Sequence, residues 1–221
     1  MKHYSIAIDG PAGAGKSTIA KKVAKYLNFI YVDTGAMYRA LGLYFIRNNI
    51  TPTDKEKIEK ACANVDVTIE YNKNGEQQVL LNGENVSALI RTEEVGNMAS
   101  ASSVYPVVRL KLVELQRSLA KKADVVMDGR EIGTFVLPDA DLKIYLTADS
   151  MERAKRRYLE LKDKGINADI NEIEKDITAR DLRDMNREFA PLKKADDAIL
   201  VESTNMTIDK VADIIIKYFR R

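Results

Sequence analysis

Apolar positions along this chain follow two alternating rhythms. Short contiguous runs, such as Ser5-Ile6-Ala7-Ile8, read as buried strands, while longer stretches repeat their apolar positions every three or four residues, as helices do. The pattern predicts strand 4–8, helix 16–27 with Ile19, Ala20, Val23, Ala24 and Leu27 on one face, strand 29–32 and helix 36–48. A short helix over 55–62 follows, and further on a helix over 105–121 with Val108, Leu112, Leu115 and Leu119 on one side. The remainder reads as strand 124–127, strand 142–146, helix 150–163, helix 170–188, strand 198–201 and helix 207–219. Thr53 with Glu56, and Asp149 with Glu152, have the spacing of capping boxes. Such alternation predicts a parallel sheet covered by helices.

One segment breaks the rhythm. Val65, Val67, Ile69 and Tyr71 alternate as a half-exposed strand would, Asn72-Lys73-Asn74-Gly75 reads as a turn, and Gln78 to Leu81 as the returning strand. Asn82-Gly83 offers a second turn. The expectation is a small antiparallel insert over about 63–95, lying beside the main sheet.

Composition bounds the problem without directing it. A chain of 221 residues, 45% apolar, suits one domain with insertions or one large and one small domain, and is read as a single domain, 1–221. A net charge of +2 gives no global pull toward nucleic acid or membrane. No run approaches a membrane span, and the N-terminal apolar run is too short for a signal peptide. The single cysteine, Cys62, has no internal partner, and His3 is the only histidine. A cytoplasmic monomer is expected, since no long exposed apolar stripe calls for a partner.

The chemistry is concentrated at the turn after the first strand. Gly10-Pro11-Ala12-Gly13-Ala14-Gly15-Lys16-Ser17 is G-x-x-x-x-G-K-[ST], flanked by a strand and a helix, with Thr18 following. Its glycines let backbone N–H groups converge on phosphate oxygens, and the helix beginning at Lys16 adds its positive end. Lys16 supplies a mobile cation on a surface loop, and the Ser17 hydroxyl can ligate Mg²⁺. A nucleoside triphosphate is the expected ligand. Val125-Val126-Met127-Asp128 is an apolar strand ending in a carboxylate, placed to orient Mg²⁺ or its water shell. Arg130 follows at the carboxyl edge of the sheet, where it could hold a phosphate, although a surface salt bridge would also satisfy it. Asp33-Thr34-Gly35-Ala36-Met37-Tyr38-Arg39 puts a hydroxyl and an arginine at the next strand–helix junction; alone it is only a capped helix start.

The stretch 150–190 holds six arginines, Arg153, Arg156, Arg157, Arg180, Arg183 and Arg187. Arg180, Asp184 and Arg187 share one helical face. The connection 162–169 is polar, so two arginine-rich helices would form a lid over about 153–183. A solvated, salt-bridged hairpin is the bland alternative. A polyphosphate's charge favours the lid, whose closure would exclude water from phosphoryl transfer. A GTP-dependent switch would carry [NT]-K-x-D, but Asn72-Lys73 is followed by Asn74-Gly75. The paired arginines favour a phosphorylated acceptor over shikimate without choosing among UMP, AMP or another base.

Over essentially its whole length the chain resembles the bacterial cytidylate kinases, nucleoside monophosphate kinases of the P-loop class. The matching pieces are Gly10 to Thr18, Asp33 to Arg39, the insert, Val108-Arg109 with Gln116-Arg117, Asp128 to Thr134, and Arg-Asp-Leu-Arg-Asp-Met-Asn-Arg at 180–187. The resemblance implies a P-loop NTPase-type α/β fold, a parallel sheet flanked by helices, with the antiparallel insert in a nucleotide-acceptor lobe (about 36–105) and an arginine-rich helical lid. It implies Mg²⁺-dependent transfer from ATP to CMP or dCMP, with no nucleic-acid or membrane partner. Gly10 to Thr18 would bind ATP, and Lys16 would hold its transferring phosphates. Arg39 and Arg130 would clasp the acceptor phosphate. Thr34, Arg109 and Arg187 would lie near the cytosine, and Arg180 and Asp184 would address the sugar, with Ser100 supporting Asp184. Arg153, Arg156 and Arg157 would sit in the lid. The family pattern Asp-Gly-Arg-Asp ends here in Glu131, one methylene longer, expected to accept from the cytosine amino group.

Overall fold

The computed structural model describes residues 2–163 and 165–220; within the connection 162–169, Lys164 lies outside the described residues. Five strands, β1 (Ser5–Asp9), β2 (Ile30–Asp33), β6 (Val125–Gly129), β7 (Leu142–Thr147) and β8 (Ile199–Glu202), form a parallel sheet in the order β2-β6-β1-β7-β8. The central strands β1 and β6 are apolar and buried on both faces, as parallel strands between helix layers must be. Register is direct: Ser5 pairs with Val125 and Asp9 with Gly129, so Asp9, Gly10, Asp128 and Arg130 emerge together at one edge.

One apolar layer packs α1 (Lys16–Leu27) and α8 (Ile208–Phe219) on the sheet through Ile19, Val23, Val211 and Ile215. The other packs α2 (Thr34–Arg47), α3 (Lys55–Asn64) and α5 (Pro106–Ala120) with the insert, through Met37, Leu41, Phe45, Ile58 and Leu112. A smaller cluster joins α6 (Ser150–Asp163) to α7 (Ile170–Asn186), and Ala12 of the glycine-rich turn belongs to it.

The insert is a three-stranded antiparallel sheet of β3 (Val67–Tyr71), β4 (Gln77–Leu81) and β5 (Glu84–Asn85). Both expected turns form. Asn72 Oδ1 accepts from the amides of Asn74 and Glu76, and Asn82 and Gly83 both take positive φ, which a two-residue hairpin of this hand requires. The insert is fastened to β2, an edge strand. The Gln77 side chain accepts from Asp33 N–H and donates to Asp33 C=O, so a single amide stands in for a missing strand neighbour.

Several expectations need correction. α3 is capped by Asp54, whose carboxylate accepts from Lys57 N–H; Thr53 instead meets Thr51, so the Thr53–Glu56 box does not form. Asp149 accepts from Met151 and Glu152 amides, while the Glu152 carboxylate turns to Arg156. The insert ends before α4 (Glu93–Ser102), a helix absent from the expected pattern. Its polar sequence, Glu-Glu-Val-Gly-Asn-Met-Ala-Ser-Ala-Ser, offers little apolar period, and its start depends on Thr92 capping Val95 N–H. α2 begins two residues earlier than expected, at Thr34, where Asp33 accepts from Ala36 N–H. α7 stops at Asn186, and Arg187 has extended backbone.

Candidate active site

The glycine-rich turn leaves β1 through Gly10, at φ 149°. A Cβ there would lie 1.9 Å from the Leu146 carbonyl oxygen on β7, so no other residue fits. Gly15 caps α1 in the left-handed conformation and no side chain caps the helix, which leaves its first amides free for an anion. Lys16 departs from the expected surface position. It is buried, and its Nζ donates to the Pro11 carbonyl at 2.7 Å. Burial, then the neighbouring Arg130, push its pKa well below the ordinary lysine value. Ser17 Oγ donates to Asp128 Oδ2 at 2.9 Å, and Tyr31 donates to Oδ1 at 2.8 Å. Burial first, and the nearby Asp33 second, raise Asp128 to about 6.

Facing the loop is a chain of ion pairs. Arg109 and Arg187 both grip Glu131, at 2.5 and 2.9 Å, and Tyr38 donates to the same carboxylate at 3.1 Å. Arg187 reaches on to Asp184 at 3.2 Å, and Arg130 meets Asp184 at 3.0 Å. Opposite charges alternate along this chain, three guanidiniums to two carboxylates. Burial would raise Asp184, but Arg130, Arg187 and Arg180 outweigh it and hold the carboxyl below its usual value. Burial likewise opposes Arg130, and Asp184 and Asp181 more than compensate.

Between the two sides the balance fails. Arg180 Nε is buried with no hydrogen-bond partner. Burial, reinforced by repulsion from Arg130 and Arg39, lowers Arg180 to about 10. Arg39 donates to the carbonyls of Ile90 and Thr92, each at 3.3 Å, and is itself lowered by burial and by Arg91 and Arg157. Arg180, Arg130 and Arg39 thus stand close enough for repulsion to weigh on Arg180, an excess of positive charge that an anion would relieve.

The remaining expected residues fall as follows. Arg153 is buried, paired with Asp181 at 2.5 Å and bonded to the Ala12 and Ala148 carbonyls, so it is a fixture of the α6–α7 base. Arg156 reaches Ser203 and lies near Gly15; Arg157 pairs with Glu160. Thr34 donates to the Asp128 carbonyl at 2.7 Å and ties α2 to β6. Asp184 takes its hydrogen bonds from arginines, and no bond from Ser100 to it occurs among the described residues.

Four residues that sequence reasoning left without a role belong to this region. Asp9 accepts from the amides of Ile132 and Gly133, pinning the π-helical turn Ile132–Val136 that carries Glu131 into place, and burial raises it to about 6. Its signal, an aspartate ending an apolar strand, is the one read at Asp128. Tyr31 and Tyr38 buttress the two carboxylates, and Asp181 accepts from Ala12 N–H at 2.8 Å.

A nucleotide-binding loop alone would need only half of this. A second, ion-paired wall beside the loop and its unneutralised arginines suits a P-loop kinase, which holds a phosphoryl donor and an acceptor at once. Residues 6–221 match the cytidylate kinase family. Cytidylate kinase of Caldicellulosiruptor saccharolyticus is 53% identical over 219 residues, covering 99% of this chain and 96% of that protein. Cytidylate kinase of Lactobacillus johnsonii is 53% identical over 209 residues, covering 93% and 89%. This chain belongs to the cytidylate kinase family and is a nucleoside monophosphate kinase. Among solved structures, an uncharacterised protein from Eubacterium ventriosum (18% identity, TM-score 0.55, 99% of both chains) and a gluconokinase from Sinorhizobium meliloti (10%, 0.50, 100% and 93%) share the fold.

Proposed function

We propose that the protein transfers the γ-phosphoryl group of ATP to CMP or dCMP, giving ADP and CDP or dCDP. The observation that carries this reading is the buried, unpartnered Nε of Arg180, which Arg130 and Arg39 repel, with Arg130 in turn acting on Lys16 of the glycine-rich loop. A phosphoryl group in flight carries spread negative charge, and preformed cations in a dry site stabilise it most.

Amides of Gly13 to Thr18 bind the triphosphate, and Lys16 leaves the Pro11 carbonyl for the outer phosphates. Arg39 and Arg130 hold the acceptor phosphate so that one of its oxygens attacks the γ-phosphorus in line as the ADP oxygen leaves. Arg180 meets the charge that develops between them. Asp184 positions the sugar. Glu131, fixed by Arg109, Arg187 and Tyr38, accepts from the cytosine amino group and disfavours uracil, whose O4 cannot donate. Arg156 and Arg157 of α6 reach over the donor as the lid, while the base of the α6–α7 hairpin, held by Arg153 and Asp181, stays on the loop. Ser17 and Asp128 suit Mg²⁺: both offer hard oxygens, and no cluster of three or more His, Cys, Asp or Glu exists among the described residues to hold an ion unaided. When bound, the ion neutralises phosphate oxygens. All these groups come from one chain, so a monomer suffices.

A panel of nucleoside monophosphates at fixed Mg-ATP tests the reading. CMP and dCMP should be converted to their diphosphates far faster than UMP or AMP. Turnover of another monophosphate with both cytidylates inert would overturn the assignment.

A further inference from the structure

The glycine-rich loop is held from outside as well as by its own strand and helix. Ala12 is bracketed on both backbone groups: its N–H donates to Asp181 Oδ1 at 2.8 Å, and its carbonyl accepts from the Arg153 guanidinium at 2.8 Å. The two clamping side chains meet each other at 2.5 Å, and Arg153 Nε is anchored on the Ala148 carbonyl at 2.9 Å. Ala12 also packs with Ala154, Ile173 and Ile177, and a Cβ on Gly13 would stand 3.1 Å from Arg153 Cβ. Gly10, Gly13 and Gly15 all take positive φ, a region that glycine enters and leaves at little steric cost, so the outside contacts add to the restraint given by the strand and the helix.

We propose that Asp181 is a positioning residue for the donor half of the reaction. Its carboxylate, braced by Arg153, fixes Ala12 and with it the curve of amides that receives the triphosphate. The placement on α7 gives the clamp a second consequence. Arg180 precedes Asp181, and Asp184 follows one turn later with Arg130 and Arg187 attached. One helix therefore sets the distance between the donor loop and the acceptor wall, and a misplacement of about 1 Å there lowers the rate of transfer. The inference rests on ATP being the ligand of the loop.

The test compares Asp181→Ala with Asp181→Asn, reading the Kd of a fluorescent ATP analogue without acceptor, the KM values of ATP and CMP, and the thermal midpoint. Both variants strip Arg153 of its counter-charge, so both should melt lower. The asparagine variant keeps an oxygen for the Ala12 amide and should bind ATP close to wild type, whereas the alanine variant should weaken ATP roughly ten- to hundredfold, the worth of a hydrogen bond to a charged group. The KM of CMP should stay within about twofold in both. ATP affinity that falls equally in both variants, in step with melting, overturns the proposal, as does an alanine variant with wild-type affinity or equal shifts in both KM values. Should Asp181→Ala fail to fold, Asp181→Ala with Arg153→Met removes both buried charges together. Weakened ATP binding in that protein supports the clamp, and wild-type binding rejects it. ATP binding is read without acceptor, so an inert monophosphate panel would sink the proposed reaction and leave this test standing.

Discussion

The two walls of the cleft solve burial of charge in opposite ways. On the facing wall every buried ion has a partner: Arg109, Glu131, Arg187, Asp184 and Arg130 alternate in sign, and Asp184 stays below its normal pKa despite burial. On the loop side Arg153 and Asp181 are matched as well, but four other groups there and at the centre lack partners of full strength. Asp9 and Asp128 are raised to about 6, Lys16 is lowered, and Arg180 keeps an unpartnered Nε. A paired wall holds its carboxylates and guanidiniums in place before anything binds. In the proposed reaction the unmatched one is completed by the phosphates of the substrates, which would supply the missing negative charge. The imbalance is the feature on which the proposed placement of the reacting groups rests.

The contrast breaks most sharply at Lys16. Lys16→Ala should lower kcat roughly a thousandfold or more, without lowering the thermal midpoint, because the lost side chain was a buried cation held against its own preference. Activity within about tenfold of wild type would break the assignment. Arg180→Met should cost about a hundredfold in kcat/KM while raising the midpoint, since it replaces a guanidinium with an unmet donor by an apolar chain of similar reach. A midpoint that falls would show Arg180 to be as well matched as Arg109.

Asp128→Asn sharpens the comparison through pH. A carboxyl with a raised folded-state value binds protons more readily folded than unfolded, so its contribution to stability is lost as pH rises from about 4 to about 6. Asparagine removes that slope. The variant should gain on wild type between pH 4 and pH 7 by up to about 3 kcal/mol, the equivalent of a two-unit shift, read from denaturant midpoints at each pH. A constant difference would mean that Asp128 is not penalised in the fold. The smallest effect is expected at the insert. Gln77→Ala removes both bonds to Asp33 and should lower stability by about 1–2 kcal/mol while leaving kcat within about threefold. A large kinetic loss would mean that the insert reaches the reacting centre.

Much of this was legible in the residues. The glycine-rich motif, the apolar strands ending in aspartate and the insert's two turns are local signals, and each appears where its spacing predicts. The matched wall was legible only as a set of residues, because Glu131 meets Arg109 and Arg187 across 22 and 56 positions of sequence. Burial of Lys16 is set by its neighbours in space and leaves no trace in the motif. α4 was missed because a polar helix that packs through Val95, Gly96 and Ala99 has too few apolar residues to display a period. Arg153 read as one more lid cation, yet its partner Asp181 is 28 residues away.

Gly10 has a further implication for how variants and relatives are interpreted. Its missing side chain makes room for the β7 backbone, with no nucleotide involved. Any replacement at that position should therefore surface as insoluble or poorly expressed protein before a kinetic defect can be measured. By the same logic, a distant homologue that had lost catalysis altogether would still be held to glycine there, so retention of this residue attests to an intact scaffold and says nothing about a working enzyme.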